Sequence, residues 1–180
     1  AQSSGGDVGA YLPYANSYAL VFGVGNYQAY TPLTGTVRDA QALAQVLRET
    51  FNFEVTELID EAASKDAIMD WLVGIKSKAG PDDRLIVYFA GHGVSEEGAV
   101  GRAMGFLLPP TAREGRHLTD GIRMRDISDL LDQSEARHKM FIPDACYSGI
   151  AAQRLVTRSG ASSPTMSPSH LRKKIGQPVH

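Results

Sequence analysis

Three short and largely apolar runs limit the possible folds of this chain more than any other feature of its sequence. They occupy residues 18–24, 84–90 and 138–143, and each ends at proline or just before glycine. Continuous apolar runs of this length are typical of parallel strands that are covered on both faces. Stretches with helical spacing of apolar residues lie between the runs. This order of elements predicts an α/β fold with a mostly parallel sheet and helices on both faces.

Local signals place the elements between these runs. The spacing of Thr36 and Asp39 fits a capping box and predicts that the first helix begins at Thr36. A second strand is predicted over residues 53–59, and Ser64 is predicted to cap a second helix. A third helix is expected around residues 127–131, where apolar side chains recur at helical spacing.

The ends of the last two runs carry side chains that are typical of catalysis. The run at 84–90 is expected to stop at Ala90 and lead into a loop that holds His92. Pro143 is expected to end the last strand, just before Cys146, the single cysteine of the chain. Reactive groups gather beyond the carboxyl ends of neighbouring parallel strands, which would bring His92 and Cys146 together as a Cys-His dyad. Taken singly, each residue has a plainer interpretation, as a buried core cysteine or a loop histidine.

The chemistry of such a dyad assigns further groups. Cys146 must act as a thiolate, so His92 would take its proton and later protonate the leaving amine. The backbone N–H groups of Gly93 and Cys146 are expected to form an oxyanion hole, because glycine lets a substrate oxygen approach the main chain closely. Residues 94–121 are expected to form a long functional loop around one short apolar piece.

Composition and charge exclude several classes of function. A formal net charge of −2 over 180 residues argues against a nucleic acid partner, which usually meets a basic face. One cysteine cannot form an internal disulfide, so the fold does not depend on an oxidising compartment, and the sequence assigns no localisation. No apolar stretch reaches the roughly 20 residues that a membrane span needs. The glycines at 23 and 25 lack the third glycine of a dinucleotide fingerprint, since Gln28 stands at its position.

The chain is expected to hold one folded domain. Residues 1–16 are interpreted as an N-terminal arm and residues 17–155 as the domain. Residues 156–180, which are rich in Ser and Pro with a basic cluster, are interpreted as a flexible linker or processing region. The predicted sheet ends near the strand that carries the cysteine, which leaves an unpaired edge of a kind that native proteins avoid. Further strands are therefore expected from a second chain or from outside this sequence.

Four segments along the chain form a recognisable series. They read YALVFG at 18–23, LTGTVRDA at 33–40, YFAGHG at 88–93 and DACYSG at 144–149. Together they resemble the caspase-like cysteine peptidases, specifically the metacaspases and their bacterial relatives. The resemblance implies a three-layer caspase-like fold in its large-subunit-like portion, with the small-subunit-like strands as a partner. It also implies a cysteine endopeptidase that acts on protein or peptide substrates in a protein-cleavage or cell-death pathway.

The resemblance further implies a specificity. In metacaspases an acidic pocket accepts the Lys or Arg before the scissile bond, and its carboxylates correspond to Asp39 and Asp144 here. A carboxylate pair suits a guanidinium, so cleavage after Arg or Lys is favoured over cleavage after Asp, for which caspases proper use arginines. Ala90 and Thr36 stand where many metacaspases have serine and cysteine.

Calcium is the cofactor that the resemblance raises. Many metacaspases require it through a cluster of acidic residues beyond the histidine segment, since this hard cation needs several oxygen ligands. Here Pro110-Thr111 and Arg125-Asp126 stand where the family pattern is richer in aspartate. Calcium dependence is therefore doubted, and no cofactor and no metal ligand is predicted.

The tail and the alternatives complete the prediction. If the pocket accepts Arg or Lys, self-cleavage after the cysteine is expected at one or more basic residues: Arg154, Arg158, Arg172, Lys173 and Lys174. The same residues also fit a merely solvated basic linker. A catalytically silent caspase-like module that regulates or scaffolds a partner is the alternative function, although the intact dyad favours an enzyme. An unrelated flavodoxin-like or nucleotide-binding domain would leave the Cys-His pair unexplained.

Overall fold

A six-stranded sheet forms the centre of the structure, a computed structural model that describes residues 13–97 and 103–147, with the backbone alone at 146 and 147. The strands are β1 (Ser17–Gly23), β2 (Glu54–Ile59), β3 (Arg84–Glu97), β4 (Ala103–Leu107), β5 (Ile122–Arg123) and β6 (His138–Tyr147). The helices are α1 (Thr36–Glu49), α2 (Lys65–Lys78), the single turn α3 (His117–Asp120) and α4 (Met124–Asp132).

The sheet is mostly parallel, with one antiparallel extension. Strands β2, β1, β3 and β6 lie side by side in that order and are parallel. Strand β4 pairs antiparallel with the last residues of β3, and β5 pairs antiparallel with β4. Strand β1 pairs with one edge of β3 as far as Ala90, and β4 pairs with the same edge from Gly93 onwards. Strand β6 pairs with the opposite edge, so Gly93 has partners in both β4 and β6. Among the described strands, β6 pairs with β3 alone.

Helices cover both faces of the sheet, as the alternation of elements predicted. On one face, Ala40, Ala44 and Leu47 of α1 pack with Ala19 and Val21 of β1. On the other face, α2 and α4 contribute a larger cluster that includes Ile68, Leu72, Ile127 and Leu131. The three-layer α/β architecture is thereby confirmed. In the described part of the chain, no helix has both the length and the apolar character to cross a membrane.

Helix α1 begins at Thr36 as predicted, but its cap differs from the prediction. Ser64 caps α2 as expected, since its Oγ accepts a hydrogen bond from Ala67 N at 3.2 Å. Thr36, in contrast, is the first helical residue and not the cap, which is Gly35 with a φ of 105°. The Thr36 hydroxyl donates instead to the Val24 carbonyl at 2.9 Å. The predicted capping box is therefore wrong, and the hydroxyl ties α1 to the end of β1.

Strand β3 is longer than its apolar run. It was predicted to end at Ala90, but it continues through His92 to Glu97, because β4 supplies hydrogen-bonding partners for residues 93–97. The predicted long loop over residues 94–121 is likewise wrong, since it contains the rest of β3 together with β4 and α3. The glycines of this segment interrupt its apolar residues, so the hydrophobic pattern did not indicate a strand there.

Pro143 lies inside β6 rather than at its end, which also corrects the prediction. It pairs with Phe89, and the strand continues for four more residues to Tyr147. Proline is tolerated in a strand where its missing N–H faces an unpaired edge. Gly93 and the other odd-numbered residues of β3 form their hydrogen bonds with even-numbered residues of β6. The odd-numbered residues of β6, Pro143 among them, therefore direct their backbone groups away from β3, towards the outer edge.

Candidate active site

The structure brings the histidine and the cysteine segments together. In the parallel register of β3 with β6, His92 and Cys146 are Cα partners, between the pairs Gly91 with Ala145 and Gly93 with Tyr147. Residues that are directly opposite in a pleated sheet direct their side chains to the same face. The backbone therefore meets the first requirement of a Cys-His pair.

A backbone carbonyl orients the ring of His92. Its Nε2 lies 2.8 Å from the carbonyl oxygen of Thr31, in the loop between β1 and α1. A carbonyl oxygen only accepts hydrogen bonds, so Nε2 carries the proton and Nδ1 of the neutral ring is the basic nitrogen. The ring is also flanked by Tyr27 and Tyr30, with centroids at 4.7 and 5.8 Å. These contacts fix both the tautomer and the plane of the imidazole.

The hydroxyl of Tyr27 joins the loop to the histidine backbone. It accepts a hydrogen bond from His92 N at 2.8 Å and donates one to the Leu108 carbonyl at 3.2 Å. Burial raises the pKa of Tyr27 well above its usual range, and the charge of Asp60 adds to this rise against the opposing effect of the His92 N–H. The phenol therefore stays protonated and remains a donor.

Asp60 holds the same loop from its other side. Its Oδ1 accepts hydrogen bonds from the backbone N–H groups of Gly25 and Asn26 at 2.7 and 2.9 Å, and its Oδ2 accepts one from the Asn26 side chain. Asp60 adopts a φ of 47°, in the left-handed region that aspartate tolerates better than most residues. The loop that presents Thr31 is thus anchored at its beginning.

The two predicted oxyanion donors point into the space between β3 and β6. Leu108 N donates to the His92 carbonyl at 3.0 Å, so Gly93 and Leu107 form an antiparallel pair without mutual hydrogen bonds. The Gly93 N–H consequently faces β6, and by the same alternation the Cys146 N–H faces β3. The pairing of β3 with β6 extends as far as Gly93 with Tyr147, so both N–H groups lie within the paired part of the two strands.

A tyrosine forms a hydrogen bond with one of the two predicted pocket carboxylates. Asp144 is opposite Ala90 in the register, and its Oδ2 accepts a hydrogen bond from the Tyr88 hydroxyl at 3.0 Å. Burial raises the pKa of Tyr88 to about 12, with further contributions from the bonded Asp144 and from the charge of Asp39. Gly23 allows α1 to approach β1 closely, since a Cβ there would lie 2.7 Å from that of Ala40, the residue after Asp39. The Tyr88 hydroxyl thus contacts Asp144, whereas Asp39 acts on the same phenol through its charge alone.

Known proteins identify the family to which this chain belongs. A family model of the caspase domain matches residues 16–176. The chain belongs to the caspase-domain family. The crystal structure of protein GSU0716 from Geobacter sulfurreducens is similar to this caspase domain, with a TM-score of 0.62 and 19% identity, over 75% of this chain and 52% of that one. The chain spans about half the length of that protein, and at this identity the likeness shows the fold alone. A search of curated proteins finds no match.

Other predicted features of this caspase domain stay predictions. The five basic residues proposed for self-cleavage lie outside the described residues. Among the side chains described for residues 13–97 and 103–145, no three of His, Cys, Asp or Glu come close enough to hold a metal ion. Sequence reasoning missed Tyr27, Thr31, Asp60 and Tyr88. No pattern marks Thr31, because its contribution is a backbone carbonyl, whereas the tyrosines and Asp60 were visible only as residues without an assigned partner.

Gly91 tests whether this packing around His92 is required. A Cβ at Gly91 would lie 2.5 Å from both Tyr27 Oη and Phe89 Cζ, and both side chains are buried. We expect Gly91→Ala to lower the free energy of unfolding by about 2 kcal/mol, as overpacked cores do. Gly74→Ala is the matched control, because nothing lies within 4 Å of its Cβ and alanine favours the helix. Equal urea midpoints for Gly91→Ala and the unmodified chain would contradict the packing described here.

Proposed function

We propose that this caspase domain is the catalytic portion of a cysteine endopeptidase that cleaves after Arg or Lys. Cys146 is the nucleophile and His92 its base and acid. The observation that carries the proposal is the register of β3 with β6, in which these two residues are Cα partners. Paired strands lie about 4.8 Å apart, a separation that lets side chains on one face form a hydrogen bond.

The tautomer of His92 supports one route for the proton. With Nε2–H donated to Thr31, Nδ1 takes the proton of the Cys146 thiol, and the sulfur attacks the scissile carbonyl carbon. Nδ1 then gives that proton to the amine as the C–N bond breaks, which leaves a thioester on Cys146. A water molecule adds to the thioester carbon after losing a proton to Nδ1, and the proton returns to the sulfur as the acid product leaves.

Stabilisation of the developing negative oxygen requires the two backbone donors. Gly93 N–H and Cys146 N–H are assigned this role because they converge on the same gap between β3 and β6. The end of β6 must part from β3 by about the width of an oxygen atom for both to reach it. We infer that substrate binding, or the strands expected beside β6, favours this separation.

The proposed specificity rests on the charges around Tyr88. Asp144 bonds its hydroxyl, and Asp39 lies near enough for its charge to act on the phenol. Two carboxylates attract a guanidinium or ammonium group and repel an aspartate side chain. Cleavage after Asp would need a cation in the place that these carboxylates occupy.

A catalytically silent caspase-like module is the second candidate, and one observation favours it. The β3–β6 ladder continues through His92 and Gly93, so the proposed oxyanion donors face each other across a closed pair of strands. A silent module would keep this ladder closed when peptide is added. The peptidase requires it to open, and this difference separates the two candidates.

The test compares fluorogenic peptides that end in Arg or Lys with peptides that end in Asp. We expect the preparation that contains the full chain to hydrolyse the basic set alone, with and without calcium. Mass spectrometry of the same preparation is expected to show cuts after basic residues of segment 148–180, which are absent in the Cys146→Ala variant. Hydrolysis of neither set by a folded protein, with no cut in that segment, would favour the silent module.

A further inference from the structure

Tyr88 has a buried ring and a hydroxyl that reaches the proposed pocket. It lies on β3 two residues before Ala90, and both side chains lie on the face of the sheet that α1 covers. Only 8% of the surface of Tyr88 is exposed. Its ring packs with the residues of α1 and β1 on that face, while its hydroxyl reaches the exposed Asp144 carboxylate. The phenol therefore extends from the core to the site where a basic side chain would bind.

Packing alone does not account for the hydroxyl. The next residue, Phe89, fills the opposite face with a plain phenyl ring. Burial of a hydroxyl costs free energy unless it forms a hydrogen bond, and the observed partner is the carboxylate of Asp144. The bond holds Oδ2 of Asp144 in one direction, while Oδ1 forms no hydrogen bond with the residues that the structure describes.

The hydroxyl oxygen of Tyr88 can also accept a hydrogen bond. A phenol that donates its proton keeps lone pairs that accept a hydrogen bond from another group. Tyr88 thus adds a third acceptor to the carboxylates of Asp39 and Asp144. A tyrosine is neutral at physiological pH, and burial raises the pKa of Tyr88 further, so it adds an acceptor without adding a negative charge.

We propose that Tyr88 is a specificity-determining residue of the basic pocket, whose hydroxyl holds Asp144 in the orientation that grips the Arg or Lys side chain. The inference rests on the proposed cleavage after basic residues. It adds that the pocket is a set of three acceptor groups, two carboxylates and one hydroxyl, of which the hydroxyl comes from the core of the sheet. Removal of the hydroxyl should weaken binding of a cation and leave the nucleophile unchanged.

The first test measures binding of agmatine, which carries the guanidinium group of arginine, by calorimetry on the full chain. We expect the dissociation constant to rise about tenfold in Tyr88→Phe, since a hydrogen bond to a charged group is lost. In peptide hydrolysis, KM should rise with kcat retained, and alkylation of Cys146 by neutral iodoacetamide should keep its rate. Tyr18→Phe, a buried tyrosine on the other face of the sheet, is the matched control.

A double-variant cycle makes the test specific to the Tyr88–Asp144 bond. If Tyr88 acts mainly through Asp144, Tyr88→Phe should weaken agmatine binding less in the Asp144→Asn background than in the unmodified chain. Equal agmatine binding by Tyr88→Phe and the unmodified chain would overturn this inference and leave the proposed peptidase standing, as would additive effects in the cycle. Failure of the unmodified chain to bind agmatine would overturn the basic specificity and this inference with it.

Discussion

Replacement of Cys146 by alanine is expected to lower kcat/KM for Arg and Lys peptides on the order of 10⁵-fold, and His92→Ala nearly as far. The first change removes the sulfur that bonds to the substrate carbon. The second removes the group that ionises this sulfur and protonates the leaving amine. Because the two residues act as a unit, the double variant should be no slower than the slower single variant.

Thiol alkylation separates loss of the dyad from loss of the fold. At mildly acidic pH, His92→Ala should react more slowly with iodoacetamide than the unmodified chain, because no imidazole then supports the thiolate. His138→Ala is the matched control: its Nδ1 bonds the Tyr14 hydroxyl at 2.8 Å, at the opposite end of β6. Unchanged hydrolysis and alkylation in a folded His92→Ala would contradict the proposed dyad.

The sequence was sufficient to predict the layers of the fold because burial determines them. Runs such as Leu85 to Phe89 are apolar on successive residues, and only a strand covered on both faces requires that. The helices α1 and α2 were predicted from their spacing, and Ser64 from its capping role. These features depend on each segment and on the presence of a core, not on the identity of the neighbouring element.

Strand ends and caps depended on neighbours and were predicted poorly. β3 continues past Ala90 because β4 pairs with it, although the residues involved include two glycines and two glutamates. The Thr36 hydroxyl donates a hydrogen bond to the carbonyl of Val24, in the preceding segment, and does not cap its own helix. Pro143 remains within β6 because its outer edge has no partner among the described strands. In each case a tertiary contact replaced the local signal.

The candidate site divides in the same way. His92, Cys146 and the carboxylates were identified from residue type and resemblance, and the structure brings the backbones of His92 and Cys146 together. The groups that orient them were not identified, since a loop carbonyl at Thr31 and a bridging hydroxyl at Tyr27 leave no pattern in the sequence. Only folding determines which carbonyl of the β1–α1 loop meets the histidine ring.

Neutralisation of the proposed pocket has the second largest expected effect. Asp144→Asn keeps the size of the side chain and its ability to accept from Tyr88, but removes the charge that faces a guanidinium. We expect kcat/KM for Arg and Lys peptides to fall about 100-fold, because the site then leaves a cation without its ionic partner. Asp39→Asn should have a smaller effect in the same direction, since the Asp39 carboxylate already forms an exposed ion pair with Arg38 at 3.5 Å.

The division between kcat and KM tells whether the carboxylate binds or reacts. Charge held equally in the ground and transition states contributes to binding alone, so the loss should appear mainly in KM. Asp129→Asn on α4 is the matched control, because it removes one negative charge from an exposed ion pair with Arg125, away from β3 and β6. A pocket variant that loses activity equally toward basic and neutral peptides would show that Asp144 acts on the catalytic residues and not on specificity. An Asp144→Asn variant that keeps its preference for Arg and Lys would assign that preference to other residues.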